Sequence, residues 1–383
     1  MSNVPTLTPD GLLSKDARGL DSALIPTGGY RSAHAPALLE LPGGDLLCAW
    51  FAGSFEGNAD ISVVCARLPK GATAWLSPVK VSGDPQRSEQ NPSLFIPPGK
   101  TEVWLMYTAQ LDRAPGKSNM QFTAVIRRQR SLDGGQTWQP ADVVFDEPGS
   151  FCRQPIQALS SGRWLFGNWK CYDDDSKNGT DHTLFQLSDD QGQTWRQAAL
   201  PGSQGLVHAN LVDMGEGHVV VFLRSRWADW IYRAESRDDG ETWTLPEATA
   251  LPNNNASISA IRLRSGRIAL AYNPTQAAHP APGQACWPGL RCPVAVALSE
   301  DGGLTWPCIR TMEAGEGFCG AENAAGNSQY EYPCLLEGQD GSLHLAYAYK
   351  DRLAIRYWRF CEEDILGPKR AACTDYNPTA AQG

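Results

Sequence analysis

Nothing in this chain reads as a membrane-spanning helix, because no run of about 18 apolar residues occurs in it. Its opening stretch, MSNVPTLTPDGLLSKDARG, lacks a basic segment followed by an apolar core. No secretory leader is therefore expected, and a cytoplasmic location is the expectation. No pair of Cys or His clusters has zinc spacing, and Cys286 and Cys292 in CWPGLRC are too far apart for a knuckle. No metal or cofactor is expected, although carboxylates and backbone carbonyls can hold calcium without a motif. No Gly-rich loop leads into a helical pattern, which removes the usual phosphate cradle. No segment sustains a 3.6-residue apolar period, which removes helical folds. Positive charge is also scarce. Lys and Arg total 33 against 42 Asp and Glu, for a net charge of −9, which disfavours nucleic acid and acidic membranes as partners. The 11 cysteines are odd in number. Without a leader, reduced thiols are expected, with Cys48, Cys65 and Cys334 acting as small apolar residues inside strands. Asn178 and Asn255 match the glycosylation pattern, which has meaning only in a secreted chain.

What the chain has is repetition. SLDGGQTW from Ser131, SDDQGQTW from Ser188, SRDDGETW from Ser236 and SEDGGLTW from Ser299 share the pattern S-x-D-x-G-x-T-W, 48 to 63 residues apart. Such a period indicates an array or a propeller. The pattern itself reads as a turn. Asp bonds to the backbone just ahead, Gly supplies a positive φ, and Thr and Trp cover a strand edge. Asp133, Asp190, Asp238 and Asp301 are thus read as structural. The exposed run Asp173–Asp175 is read as a solvated loop.

A second repeat accompanies the first. Six apolar stretches, each split by a Gly turn, begin at His34, Gln90, Arg153, His208, Ser257 and Tyr332. Each has the alternation of a β-hairpin, and their spacing suits a four-stranded sheet with loops. The expected fold is all-β, a six-bladed β-propeller. Residues 21–366 form its single domain, residues 1–20 an N-terminal extension and residues 367–383 a loose tail. The stretch Leu24–Tyr30 is expected to add an outer strand to the last blade and close the ring. A closed ring implies a monomer.

The first residue of each inner strand should face the channel mouth, where pockets form. That set is His34, Gln90, Arg153, His208, Ser257 and Tyr332, with Asn91, Asn210, Asn254, Asn255, Tyr330 and Glu331 beside it. All are polar, and Arg31, Arg224 and Arg226 stand in neighbouring loops. A basic cluster on an acidic protein points to an anionic ligand, best a sugar carboxylate at the end of an acidic oligosaccharide or polysaccharide. Plainer readings remain open. His34 and His208 can be satisfied buried histidines, Arg153 a blade-to-blade bridge, and Tyr332 a packed channel residue. Trp50, Trp227 and Trp230 either stack on sugars or pack the core.

With its repeats known as Asp boxes, the chain resembles the sialidase superfamily over roughly residues 24 to 360. His34-Ala-Pro36 stands where that family has Arg-Ile-Pro. Tyr332-Pro-Cys334-Leu335 is similar to its Tyr-Ser-Cys-Leu, which puts Tyr332 at the nucleophile position. Arg224 in VVVFLRSR matches the second Arg of a carboxylate clamp, and His208 falls about where the Glu partner of the Tyr stands. The acidic residue after the first hairpin is Asp60 or Glu56, and no third Arg is evident. A His does not replace a bidentate Arg. The chain looks more like related propellers that act on rhamnose linked to glucuronate. Three activities follow as expectations. One is elimination at a uronate, with His34 or His208 as base, Tyr332 or the second His as acid, and Arg153 and Arg224 on the carboxylate. Another is retaining hydrolysis by Tyr332 with Asp60 or Glu56. The last is glycan binding without catalysis. Arg31, Arg226, Gln90, Asn91, Asn255 and Tyr330 complete the candidate binding set.

Overall fold

The apolar stretches form strands buried on both faces, as blades packed between two neighbours require. In the strand Leu46–Gly53 every residue is buried. Leu47 and Ala49 pack against Leu94, Leu105 and Tyr107 on one side. Leu46, Cys48 and Trp50 pack against Ala346, Ile355 and Tyr357 on the other. Period-2 geometry thus sends alternate residues into different cores, and each buried Leu or Val contributes roughly 1.5–3 kcal/mol. Trp50, a candidate for sugar stacking, is fully buried here.

The computed structural model describes residues 8–114, 120–173, 179–287, 291–314 and 329–367. Asn178, Asp174, Asp175 and the tail beyond Gly367 lie outside them. Six antiparallel sheets follow one another along the chain: blade 1 (residues 32–80), blade 2 (87–145), blade 3 (150–199), blade 4 (206–252), blade 5 (259–313) and blade 6 (331–360). They form the expected six-bladed β-propeller. Blade 6 takes its outer strand from the start of the chain, as Asp21–Ile25 pairs antiparallel with Ala354–Phe360. That strand begins slightly earlier than the expected Leu24–Tyr30. Ser14–Lys15 adds to its edge, and Leu12 bridges to Ala74 of blade 1. Among the described residues, no helix is long and apolar enough to cross a membrane.

Each Asp box is the turn from the third to the outer strand of blades 2 to 5. In the first, Asp133 Oδ1 accepts from Ser131 Oγ at 2.8 Å and from Thr137 N at 2.9 Å, and Oδ2 accepts from Thr137 Oγ1 at 2.5 Å. The box Gly has φ between 80° and 86° in all four copies. It also lies against the preceding blade: a Cβ on Gly303 would sit 2.3 Å from Phe222 of blade 4. Similarly, Trp243 of blade 4 stacks on Phe185 of blade 3 at 4.4 Å. The boxes therefore lock one blade onto the next.

Antiparallel order puts these turns on one face of the ring and the inner-strand starts on the other. The starts share a kink. Ala35, Asn91, His208, Asn255 and Tyr332 all have φ between 51° and 57°. In blades 1, 2, 4 and 6 the ladder register shifts across this residue, as at a bulge. Pro36, Pro92 and Pro333 follow three of the kinks, at a point where no ladder donor is needed. This corrects the alignment read from sequence. His208 and Tyr332 are kink residues, equivalent to Ala35, whereas His34 is equivalent to Glu331. Ser257 lies two residues past the blade 5 kink.

Candidate active site

The kinks turn side chains toward the propeller axis, where Tyr332 is the centre of a cationic cluster. Arg224 Nη1 donates to Tyr332 Oη at 2.6 Å, and Arg224 Nε donates to Asn255 Oδ1 at 2.7 Å. The guanidinium carbons of Arg153, Arg224 and Arg291 lie 5.7, 5.4 and 6.0 Å from the Tyr332 ring centroid. Burial lowers Arg224 to about 10. His208 lies on the Trp169 ring, with centroids 4.4 Å apart. Its Nε2 is 3.3 Å from Arg224 Nη1, which can only donate, so Nδ1 carries the proton and faces Ser257 Oγ at 3.0 Å. Burial, then Arg224, holds His208 well below the usual histidine range, so it is neutral.

Behind Tyr332 lies a buried ion cluster centred on Glu331, which is 2% exposed. Glu331 accepts from Arg291 Nη1 at 2.5 Å and from Arg352 Nε at 2.8 Å. Burial alone would raise its carboxyl, but Arg352 and Arg291 hold it far below the ordinary carboxylate range. His34 Nδ1 is 3.4 Å from Glu331 Oε2 without the alignment of a hydrogen bond. The His34 ring is 4.3 Å from that of Tyr332. Burial, then Arg352, keeps His34 neutral.

A cleft of about 830 Å³ opens beside this cluster between blades 1, 2 and 6, lined in part by Arg31, Glu56, Gln90, Gln110, Arg113 and Arg352. Gln90 and Gln110 are each 2% exposed, and Gln110 Oε1 has no partner among the described residues. Arg352 Nη1 reaches Glu56 Oε2 at 2.6 Å, joining cleft and cluster. Arg352 ends a run of three left-handed residues, with φ 45° at Lys350, 56° at Asp351 and 68° at Arg352. Such geometry costs roughly 1–2 kcal/mol per non-Gly residue. It is held by Arg352, whose carbonyl accepts from Ala33 N at 2.8 Å and whose side chain spans Glu331 and Glu56.

The sequence-derived residues divide among these places. His34, His208, Arg224, Asn255 and Tyr332 come together at the axis. Arg31 and Gln90 line the cleft. Asn91 is a buried kink residue of blade 2. Asn255 is fully buried, so its glycosylation pattern has no exposed acceptor. Asp60 is exposed and accepts from Ser54 N and Oγ at 2.9 and 2.8 Å, closing its own loop, while Glu56 faces the cleft. Three of the expected binding residues are engaged within the fold instead of lining the cleft. Arg153 donates to the carbonyls of Pro36 at 2.9 Å, Tyr332 at 3.2 Å and Pro92 at 3.5 Å, so it ties blades 1, 2 and 6 together. It lines the hollow at the other end of the channel, not the cleft. Arg226 is buried against Asp181 Oδ2 at 2.6 Å. Tyr330 packs in the core and stacks on Tyr349 at 5.1 Å. Sequence reading missed Arg291, Arg352 and Gln110.

Residues 44–345 match the family model of the BNR repeat-like domain. The chain belongs to this family. Solved structures agree on the fold. A Hadza microbial sialidase, Hz136, superposes with TM-score 0.69 at 17% identity, over 87% of this chain and 66% of that one. The NanB sialidase of Streptococcus pneumoniae gives 0.69 at 14% identity, over 95% and 73%. The intramolecular trans-sialidase of Ruminococcus gnavus gives 0.66 at 16%, over 89% and 97%. No curated protein matches the chain in sequence. Within this BNR repeat-like chain, a third guanidinium does stand over Tyr332, that of Arg291, but His34 and His208 still occupy the positions noted above.

Proposed function

We propose that this chain cleaves the end of an acidic glycan, with the Tyr332 oxygen as the reacting group. The contact from Arg224 Nη1 to Tyr332 Oη at 2.6 Å carries the reading. It sets a fixed cation on the oxygen, which must carry negative charge before Tyr332 can act as base or nucleophile. Elimination at a uronate is the leading form. The uronate carboxylate is drawn into the cationic surroundings, which acidifies the proton at C5. Tyr332, half-buried among these cations, takes that proton on its oxygen after releasing its own phenolic proton to solvent. His208 is a poorer base here because Arg224 occupies its Nε2. His34 stands neutral beside the Tyr332 ring as a second proton acceptor. The bond from C4 to the departing oxygen breaks as the C4–C5 double bond forms.

Hydrolysis is the second reading, favoured by the placement of Tyr332 at the position where the family resemblance puts a nucleophile. Tyr332 Oη then attacks the anomeric carbon as the bond from that carbon to the departing oxygen breaks, and water next displaces Tyr332 to release the sugar from the tyrosyl intermediate.

One incubation separates these readings. The protein is mixed with a rhamnosyl-glucuronate oligosaccharide and, separately, with an aryl sialoside. Ultraviolet absorbance of an unsaturated uronate together with free rhamnose supports elimination. Free sugar without that absorbance supports hydrolysis. Saturable binding with no product over long incubation sinks both.

A further inference from the structure

Both cleavage routes require a proton for the departing oxygen, and neither buried histidine lines the cleft. Of the acidic side chains among the described residues, Glu56 and Asp351 line the cleft, while Asp60 and Asp112 stand beside it. Asp60 has both carboxylate oxygens bonded to Ser54. Glu56 is paired with Arg352 at 2.6 Å. Asp351 lines the cleft, and its carboxyl oxygens take part in no hydrogen bond or ion pair among the described residues. It is the middle residue of the left-handed run and is exposed to the cleft side. Its backbone N–H is held by the Gln329 carbonyl at 3.3 Å. The neighbouring Arg352, which would otherwise be its natural counter-ion, is directed away to Glu331 and Glu56. Strain of this kind persists where surroundings over-determine it, and it clusters at working sites.

We propose that Asp351 is the general acid of this cleft, giving its proton to the departing oxygen. The inference rests on the glycan-cleavage reading but holds for either route. As the C–O bond breaks, its electron pair goes to oxygen, and that oxygen takes the carboxyl proton. Asp351 is left as a carboxylate and regains a proton from solvent water. The surroundings favour the protonated form: packing behind the side chain, then the Glu331 charge, raises its carboxyl above the usual range, with Arg352 opposing. Among the described residues, Lys350 precedes Asp351 on the same turn, and Glu56, Arg31 and Arg113 line the same cleft.

The test compares two substrates that differ only in the departing group, the rhamnosyl-glucuronate oligosaccharide and the same chain end carrying 4-nitrophenol. The phenol departs without a proton. Asp351→Asn removes the acid while keeping a residue that tolerates left-handed backbone, so the turn should fold, and an unchanged melting temperature checks this. The expected result is a loss of roughly 100-fold or more in kcat on the oligosaccharide, little change on the nitrophenyl substrate, and disappearance of the alkaline fall in the pH profile. Equal loss on both substrates, or loss on neither, overturns the assignment. So does the same leaving-group signature in Glu56→Gln rather than in Asp351→Asn. A parent protein that cleaves neither substrate removes the glycan-cleavage reading first and this inference with it, a result distinct from any difference between variants.

Discussion

On one face of the ring, Asp133, Asp190, Asp238 and Asp301 make the same bonds four times, each accepting from the Ser two residues before and the Thr four residues after. On the other face, Ala35, Asn91, His208, Asn255 and Tyr332 share one backbone conformation but not one side chain. Both are repeats of the same blade. Where side chain and backbone repeat together, the repeat serves packing, as the contact of each box with the preceding blade indicates. Where only the backbone repeats, the blade supplies a common bracket, and the side chains mounted on it differ in chemistry. A motif copied four times therefore says what the fold is. The positions that refuse to be copied are the ones to test for function.

The largest effect should come from breaking the axial face at Glu331. Glu331→Gln leaves Arg291 and Arg352 facing a neutral amide in a buried site. Removing one partner of such a cluster costs about 3–5 kcal/mol, and chemical denaturation of the variant would measure it. A cost below about 1 kcal/mol, as for surface pairs, would mean that Glu331 is no keystone.

Tyr332→Phe tests the same face without disturbing its charge cluster. Activity should fall by at least about 100-fold while stability changes little, since one hydroxyl contact is removed and the ring remains. Turnover equal to the parent on every cleaved substrate would remove Tyr332 from the chemistry.

The pattern of what could be read in advance follows the same divide. An Asp box closes within eight residues, so its spacing carries its geometry, and the Gly-split hairpins are equally local. The axial site is assembled across the ring. Arg226 meets Asp181 from 45 residues away in sequence, and Arg352 meets Glu56 from 296. No local pattern announces either pair, so Arg226 looked free and Arg352 went unnoticed. Arg291 lies in a loop and reaches Tyr332 only because blades 5 and 6 adjoin. One signal was present but unused. Ala35-Pro36, Asn91-Pro92 and Tyr332-Pro333 mark the same kink, and aligning on the prolines pairs His34 with Glu331 instead of with Tyr332.

Acid should separate the two faces more gently. His34 and His208 are buried neutral, their protonation held well below the usual range by burial and then by Arg352 and Arg224 respectively. A depressed histidine contributes stability that is present above the unfolded value near about 6.5 and lost as pH falls toward the folded value. The Glu331 carboxyl, also depressed, adds a further loss only below about 4.5. Thermal stability should therefore fall steadily from about pH 7 down to about pH 5, before the carboxylates respond. His208→Gln should flatten that part of the curve. An unchanged slope would show that the acid response arises elsewhere.

The smallest effect belongs to the copied face. Asp238→Ala removes the acceptor of Thr242 N at 2.9 Å, Thr242 Oγ1 at 2.5 Å and Ser236 Oγ at 2.7 Å. The turn is solvent-exposed, so water replaces much of what is lost, and the cost should resemble that of deleting a capping side chain, about 1 kcal/mol. Gly240 and Trp243 still hold the turn against blade 3, through Leu165 and Phe185. Activity should be unchanged at temperatures where the variant is folded, because the box and the cleft are on opposite faces. If Asp238→Ala lowered kcat without lowering stability, the division between a copied structural face and a varied chemical face would be wrong, since a residue repeated four times would then be acting at a site that occurs once.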